Sequence, residues 1–398
     1  MNLRKVLVLS LFAAAFLTPG ASALNNARHN HASTLLPDGN ILITGGTLNT
    51  VTVTNNVEMY NMATNLYEAW ASNLATARSS HTATLMSDGN VLIAGGFGAA
   101  GQPIPAVDAY EICNPITRTC TNTGVPDMLT PRGGHTATLL SKGPRAGQVL
   151  LCGGRTGTTG TAITENCETF NPSGPAVLAA GPMISPREGH AATLLHSGRV
   201  FVTGGRRRDP ADSAWIYEPM NEMYDPAAGA GAGVWTPVAA LLQGRVNHTA
   251  TVLNNGKIMI AGGYNAVNSR RCMGAEDSLE EDCWHIKYDP LGVIQNGGNG
   301  GYLDGAEFFD QNGARVVIQE ATYGVIPYRV AQHTAALEPD GRWRIHGGYG
   351  NIYPTFFTDS PALTTDSVIS LTLSGPVGSR TATIDAASII RFPLAFSL

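Results

Sequence analysis

One phrase recurs six times along this 398-residue chain and constrains its fold more than any other feature. The first copy is RHNHASTLLPDGNILITGG, which holds an Arg, a nearby His, two apolar stretches joined by a polar Gly turn, and a final Gly-Gly. The copies occupy residues 28–46, 78–96, 132–154, 187–205, 245–263 and 329–348. Because a unit of about 50 residues cannot bury its apolar face alone, this recurrence predicts repeated units stacked against one another.

Each unit has the pattern of four antiparallel strands, here named A to D. His-Thr-Ala-Thr-Leu-Leu alternates as strand A, and a short apolar run such as Ile-Leu-Ile follows a Gly-containing turn as strand B. Strand D is less regular and carries Trp70 and Trp235 in two copies. The third strand is predicted at residues 57–61, 107–111, 167–171, 221–225 and 306–310. Residues 386–390 are predicted as the outer strand of the last unit. The pattern predicts an all-β chain, a single six-bladed β-propeller domain over residues 24–398.

The first 23 residues have the pattern of a signal peptide. Arg4 and Lys5 precede an apolar run over residues 6–17, and Ala21-Ser22-Ala23 forms a small-residue cleavage site. We therefore expect cleavage after Ala23, a secreted or periplasmic protein and no membrane span. Only residues 24–27 precede the first repeat, so no N-terminal strand is expected to complete the last blade.

Composition agrees with this interpretation and excludes one class of partner. Charged residues make up 14% of the chain, against roughly 25% in an average soluble domain. This composition favours short strands and turns over long amphipathic helices. A net charge of −5 gives no basic field for nucleic acid.

Six cysteines fall in three close pairs and allow fifteen connectivities. Export permits disulfides. The repeat pattern places Cys152 at the end of strand B and Cys167 at the start of strand C, where antiparallel pairing brings them together. The predicted disulfides are Cys113–Cys120, Cys152–Cys167 and Cys272–Cys283.

The double glycine that ends strand B, the aromatic residue on strand C and the Trp on strand D resemble the kelch repeat. Arg-x-x-His-Thr-Ala-Thr-Leu-Leu with Asp-Gly-Asn is similar to the exported bacterial branch of that family, which shares a superfamily with the central domain of galactose oxidase. The resemblance covers residues 28 to about 372. It implies the propeller fold and leaves the function open, because propellers carry many functions.

Two sets of polar residues recur with the repeat and are interpreted as scaffold. An Arg enters every strand A and an acid lies near every strand C, which predicts a ring of structural ion pairs. The arginines are Arg28, Arg78, Arg132, Arg187, Arg245 and Arg329, and the acids are Glu58, Asp108, Glu168, Glu222, Glu307 and Asp366. The repeated histidines are His31, His81, His135, His190, His248 and His333. A metal needs three or four ligands at one point, so we expect packed, hydrogen-bonded histidines, no metal site and no cofactor.

Residues that break the repeat are better candidates for a binding site. The B–C loops are long and unlike one another, and variable loops on a rigid scaffold are where binding usually occurs. The candidate residues are Phe97, Arg155, Glu188, Arg206, Trp215, Tyr264, Trp284 and Tyr349. Aromatic rings and arginine forks together suit an acidic sugar, a glycan or a peptide.

The B–C loop of the fifth repeat, residues 264–305, is far longer than an ordinary connection and contains Cys272 and Cys283. We interpret it as a lobe closed by a disulfide that forms one wall of a cleft with Trp215 and Arg206. The alternative is a structural role, in which the lobe packs against a neighbouring molecule. Its acidic residues, Asp277 to Asp282, lack the spacing of an EF-hand calcium loop.

These observations favour an exported, monomeric, non-catalytic propeller that binds a glycan or protein ligand through the face carrying the B–C loops. The alternative is a sugar-acting enzyme resembling the bacterial sialate mutarotase, with Glu188 and Arg206 as acid–base groups. A copper oxidase resembling galactose oxidase is disfavoured, because the chain has no Tyr-His dipeptide and its cysteines are assigned to disulfides.

Overall fold

The computed structural model describes the part of the chain in which most of the repeats lie. The described residues are 28–48, 51–64, 66–122, 125–174, 177–211, 213–253, 256–265, 301–302, 306–316, 328–331, 334–337, 343–346, 349–352, 363–364, 368–374 and 381–384. They form β-strands, with two short 3-10 turns at Ala106–Asp108 and Gly229–Gly231. No helix within these ranges is long and apolar enough to cross a membrane.

Each repeat forms its own antiparallel sheet, in which strands A to D pair in chain order. Four strands are described in every sheet except the fifth, where three are described. The strands of the first three sheets are Ala32–Leu35, Ile41–Thr44, Val57–Asn61 and Leu66–Ala69; Thr82–Leu85, Val91–Ala94, Tyr110–Asn114 and Thr119–Thr121; Thr136–Leu139, Val149–Cys152, Cys167–Phe170 and Val177–Ala180. Those of the other three are Ala191–Leu194, Val200–Thr203, Asn221–Asp225 and Val234–Val238; Thr249–Val252, Ile258–Ala261 and Ala306–Phe309; Thr334–Leu337, Trp343–His346, Val368–Ser374 and Thr381–Ile384.

The sheets are arranged around a central axis. Each strand A contacts the strand A of the neighbouring sheets, and the first, Ala32–Leu35, also contacts the last, Thr334–Leu337. This closed ring of radial sheets is a β-propeller, as the sequence predicts. All four described strands of the last sheet come from residues 334–384, and no strand from the N-terminal end of the described chain joins it.

Apolar side chains from adjacent blades pack together between the sheets. Strand B is buried along its whole length in each of the first five repeats, as its continuous apolar sequence predicts. One core cluster joins Leu42 and Trp70 of the first blade to Val91 and Ile93 of the second. Equivalent clusters join the later pairs of blades, so most of the core lies between repeats.

Two predicted strands were placed wrongly. Strand C of the second repeat is Tyr110–Asn114 rather than residues 107–111, because the helical turn Ala106–Asp108 lengthens the loop before it. The outer strand of the last sheet is Thr381–Ile384 rather than residues 386–390, which lie outside the described residues.

Two of the three predicted disulfides are present. Cys113 and Cys120 face each other across strands C and D of the second blade, and Cys152 and Cys167 do so across strands B and C of the third. Each disulfide therefore joins directly paired positions within one sheet. Cys272 and Cys283 lie outside the described residues.

The repeated Arg is a buried ion-pair partner and also a hydrogen-bond donor to the backbone. Arg187 is completely buried, contacts Glu222, and donates from Nη1 to the carbonyl oxygens of Gly204 at 2.7 Å and Met220 at 2.9 Å. The same carboxylate accepts from the backbone N–H of Ile184 at 2.7 Å. These contacts satisfy both charged groups, which a buried pair requires.

Four predicted pairs are confirmed, and the one assigned to Asp108 is wrong. The confirmed pairs are Arg28–Glu58, Arg132–Glu168, Arg187–Glu222 and Arg245–Glu307. Arg78 instead contacts Glu111 at 2.6 Å, because Glu111 pairs with Ile93 on strand B, as Glu58 pairs with Ile43. Asp108 contributes its backbone carbonyl to Arg78. The side chains of Arg329 and Asp366 lie outside the described part.

The Gly-Gly pair forms part of the joint between blades. Both glycines have positive φ, for example +58° at Gly95 and +102° at Gly96. Gly96 donates its N–H to the carbonyl of Arg132 in the next blade at 2.9 Å. A Cβ added at Gly95 would lie 2.3 Å from that same oxygen. The second repeat therefore needs glycine there for both its backbone conformation and its close approach to the next blade.

The repeated histidines also join adjacent blades. The Nε2 atoms of His81, His135 and His190 lie 2.8, 3.1 and 2.8 Å from the hydroxyls of Thr44, Thr82 and Thr136 in the preceding blade. Burial, aided by the nearby arginines, lowers the pKa of all three histidines, that of His135 to about 3. They are therefore neutral structural groups at pH 7, which agrees with the sequence interpretation. No group of three or more His, Cys, Asp or Glu suited to a metal occurs among the described residues. His333 lies outside them.

A chain of backbone hydrogen bonds runs from blade to blade. The N–H groups of Ser80, Gly134, Gly189 and Asn247 donate to the carbonyls of Asn30, Ser80, Gly134 and Gly189 at 2.7–2.8 Å. All five residues have positive φ. Each lies immediately before the repeated His, so the same backbone conformation makes the same joint in successive blades.

We expect Arg187→Ala to destabilise the protein by about 3–5 kcal/mol, because it leaves the Glu222 carboxylate buried without its charge partner. Arg118 is the matched control, since its pair with Glu68 is partly exposed at both side chains. Arg118→Ala should cost less than about 1 kcal/mol. Urea unfolding at pH 7 measures both free energies, and equal losses in the two variants would contradict the scaffold role.

Gly95→Ala and Gly89→Ala separate backbone strain from the contact between blades. Both glycines have positive φ, but a Cβ at Gly89 has nothing within 4 Å. Gly89→Ala should cost about 1–2 kcal/mol, from the left-handed conformation alone. Gly95→Ala should cost roughly a further 1–3 kcal/mol from the clash with Arg132. Thermal unfolding measures both, and equal losses would show that the contact contributes nothing.

The neutral histidines predict a stability that falls in acid. These histidines bind protons near pH 6.5 in the unfolded chain, and only at lower pH in the folded chain. The free energy of unfolding therefore decreases as the pH falls from about 6.5 towards 4. Each buried histidine contributes up to about 1.4 kcal/mol per pH unit. His135→Gln should reduce this slope, because it removes one histidine whose pKa is lowered in the folded protein. Urea unfolding from pH 7.5 to 4.5 measures the slope, and an undiminished slope in His135→Gln contradicts the assignment.

Candidate functional site

Several B–C loops begin as small hairpins on one face of the propeller, here called the B–C face. The first glycine pair leads directly into Thr47–Leu48, which pairs with Thr52–Val53. The corresponding pairs are Arg155–Thr156 with Ala162–Ile163, Arg206–Arg208 with Trp215–Tyr217, Tyr264–Asn265 with Gly301–Tyr302, and Tyr349–Ile352 with Leu363–Thr364. These hairpins give the side chains that follow Gly-Gly a defined direction.

The residue after Gly-Gly pairs with the residue after the repeated Arg. Glu188 forms an antiparallel bridge with Arg206, Gly133 does so with Arg155, and Ser79 with Phe97. The recurring geometry of the joint therefore brings these two variable positions together in each of the first five repeats.

Glu188 lies between arginines of two adjacent blades. Its carboxylate is 3.2 Å from Nε of Arg155 and 2.9 Å from Nη2 of Arg206, and it also accepts a 2.9 Å hydrogen bond from Nε of Arg206. The carboxylate is almost completely buried, whereas the two arginine side chains remain 31% and 27% exposed. Each guanidinium thus faces Glu188 on one side and solvent on another.

Aromatic rings flank both arginines. The guanidinium carbon of Arg155 lies 4.4 Å from the centre of the Phe97 ring, and that of Arg206 lies 3.8 Å from the centre of Trp215. Arg208 lies 3.6 Å from the same Trp215 centre. Two guanidinium groups so close to one centre would overlap on a single face, so they cover opposite faces of the indole. Such contacts are favourable cation–π interactions.

These six residues form a continuous row, here called the arginine strip. In order across the B–C face it contains Phe97, Arg155, Glu188, Arg206, Trp215 and Arg208. The strip holds three arginines against one carboxylate, on a chain whose net charge is −5. It therefore places a local excess of positive charge on an otherwise acidic protein.

A glycine of the third repeat makes room for the strip. A Cβ at Gly133 would lie 2.6 Å from the Phe97 ring, so a side chain at this position would clash with it. The third repeat is the only copy with Gly-Gly between Arg and His, a feature from which a crowded site could have been predicted.

Five of the eight candidate residues therefore lie in one place: Phe97, Arg155, Glu188, Arg206 and Trp215. Tyr264 packs against Tyr217, with ring centres 6.0 Å apart. Tyr349 begins a strand whose backbone alone is described. Trp284, with most of the long loop 264–305, lies outside the described residues.

Sequence reasoning missed two features of the site. Arg208 was not among the candidate residues, and its contact with Trp215 depends on the hairpin register that places them opposite each other. Arg207, the middle one of the three consecutive arginines 206–208, contacts Glu218 at 3.2 Å, and Glu218 also accepts from the hydroxyl of Ser185. The three consecutive arginines therefore have two different environments.

Comparison with known proteins agrees with the fold. The pattern of the Attractin/LZTR1 β-propeller family matches residues 11–272. An F-box/kelch-repeat protein of Arabidopsis thaliana is 33% identical over 149 residues, which are 35% of this chain and 30% of that protein. A solved structure titled "Structure of YjhT" has a TM-score of 0.63 at 15% identity and covers 91% of this chain and 99% of that one. This last likeness shows the fold alone.

The repeats, the sheets and the relatives define a kelch-type β-propeller. Within that class, the chain belongs to the family of Attractin/LZTR1 β-propellers. Because the chain spans less than a third of the plant relative, nothing about that protein's activity transfers with the match.

Glu188→Gln should destabilise the protein by about 1–2 kcal/mol at low salt, because two half-exposed arginines lose their shared counter-ion. Raising the salt to about 0.5 M should shrink that loss by screening the arginines from each other. Glu68→Gln, which breaks the exposed pair with Arg118, is the control and should cost less than about 1 kcal/mol. A Glu188→Gln protein as stable as the wild type at low salt would contradict the charge arrangement.

Proposed function

We propose that this protein is an exported, non-catalytic propeller that binds a glycan or protein ligand through its B–C face, at the arginine strip. The single observation that carries the proposal is the pair of half-exposed arginines, Arg155 and Arg206, held from behind by a buried carboxylate. A guanidinium fixed in this way keeps donors for a ligand while losing little conformational freedom when the ligand binds.

The position of the strip supports the same proposal. It lies on loops carried by a closed ring of rigid sheets, and binding residues are commonly found on loops of rigid scaffolds. The five scaffold arginines whose side chains are described are paired inside the blades, whereas the strip arginines break the repeat and reach solvent. The strip is therefore not required by the joints between blades.

Export is part of the proposal and rests on the first 23 residues together with the two disulfides. Disulfides form and persist in oxidising compartments. N-terminal sequencing of the secreted chain tests this part, and a mature chain starting at Leu24 is the expected result.

A sugar isomerase is the alternative function. It would require Glu188 or Arg206 to exchange protons with the ligand. Both Glu188 oxygens contact guanidinium groups, which is the arrangement of a counter-ion rather than of a general base open to a substrate. We therefore assign Glu188 a positioning role.

A glycan array tests the proposal with residues 24–398. The wild type should bind a defined set of glycans, and Arg155→Gln with Arg206→Gln should lose that binding while remaining folded, with a lowered melting temperature because the buried Glu188 carboxylate loses both charge partners. Arg118→Gln is the control and should bind as the wild type does. An array on which the double variant binds like the wild type would overturn the proposed site. Proton NMR of sugar anomerisation tests the alternative, and a rate that depends on Glu188 would favour the isomerase.

A further inference from the structure

We propose that the ligand of the arginine strip is a polyanionic polysaccharide, bound through the edges of the guanidinium groups and not by stacking on aromatic rings. This inference rests on the proposed binding function and names the class of ligand. It starts from which surfaces of the strip a ligand can reach.

The aromatic faces are already occupied. Arg206 and Arg208 cover the two faces of the Trp215 indole, and the Phe97 ring, only 6% exposed, lies between Arg155 and Gly133. An open aromatic face can bury the apolar face of a neutral sugar ring, because aromatic side chains offer a large flat apolar surface. The strip offers a neutral sugar no such face.

The guanidinium edges remain available. Arg155 contacts Glu188 through Nε at 3.2 Å without a hydrogen bond, and its side chain remains 31% exposed. Arg206 uses Nε and Nη2 on the same carboxylate oxygen. Arg208 is exposed and donates one bond to the carbonyl of Ser213 in its own hairpin. The remaining donors are suited to carboxylate or sulfate oxygens.

The spacing of the charges favours a ligand with several anionic groups. Arg206 and Arg208 are separated by the thickness of the indole and its two contacts, and Arg155 lies beyond Glu188 on the other side. Three cations therefore succeed one another along a single row that crosses from the second blade to the fourth. A chain carrying an anionic group on successive sugars can contact more than one of them.

The same surface is poorly suited to a protein partner. Protein interfaces obtain most of their affinity from a few residues, chiefly Trp, Tyr and Arg, that are fully desolvated in well-packed pockets. The two aromatic side chains of the strip are covered by arginines and present no apolar pocket. Charge, rather than apolar burial, is what this surface offers.

The test compares polymers of defined charge by titration calorimetry with residues 24–398. The probes are polygalacturonate, dextran sulfate, neutral dextran and poly-L-glutamate. We expect binding to one or both anionic polysaccharides, at least tenfold weaker binding to dextran and poly-L-glutamate, and affinity that falls steeply with salt. Arg155→Gln and Arg208→Gln should each weaken binding about tenfold and reduce the salt dependence. Arg118→Gln is the control for loss of a surface charge elsewhere.

The outcomes separate this inference from the proposed function. Dextran bound as tightly as the anionic polymers, or poly-L-glutamate bound more tightly than either polysaccharide, overturns the ligand class while leaving a binding face in place. Anionic binding that the strip variants do not alter overturns the assignment of the site. Failure of all four polymers overturns the ligand class, and the glycan array then decides whether the proposed function survives. Melting temperatures of the variants show that each is folded.

Discussion

A buried arginine at the entrance of each of the first five repeats is the interaction on which the rest of the propeller depends. Its guanidinium binds the glutamate of strand C and the carbonyl of the first glycine in its own Gly-Gly pair, as Arg132 does with Glu168 and Gly153. Its backbone carbonyl accepts from the second glycine of the preceding blade. One residue therefore joins three strands and two blades, and its charge can stay buried because every contact is satisfied.

The fold could be predicted from sequence because these requirements recur with the repeat. Gly-Gly marks the end of strand B, the alternation marks strand A, and the arginines imply their acids. The prediction failed where the repeat changes length: Glu111 replaces Asp108 because a helical turn displaces strand C by three residues. Asp108 and Glu111 are both acids near Tyr110. Only the pairing of Glu111 with Ile93 on strand B identifies Glu111 as the partner of the arginine.

The candidate site was predicted in part and for a related reason. Phe97, Arg155, Glu188 and Arg206 were found because they occupy the two positions beside the joint where the repeat tolerates variation. The ion pairs and cation–π contacts among these residues were not predictable from their positions in the sequence. That arginines cover both faces of Trp215 depends on the register of the hairpin Arg206–Arg208 with Trp215–Tyr217, which no local sequence pattern encodes. An aromatic residue that the sequence offers as a stacking surface is thus a spacer between cations.

The contact between the first and last inner strands has a consequence for how the molecule loses its structure. In an open array of repeats, the terminal units have one neighbour and fray first. Here the first repeat has the last as its second neighbour, so no repeat is terminal. Unfolding any one blade must break its contacts with two neighbouring blades. The free energy needed to unfold a first blade is therefore of the same order at every position in the ring. No blade has only one neighbour, so no blade can unfold at a low free energy before the others. This favours cooperative unfolding of the whole propeller over stepwise unfolding of its blades.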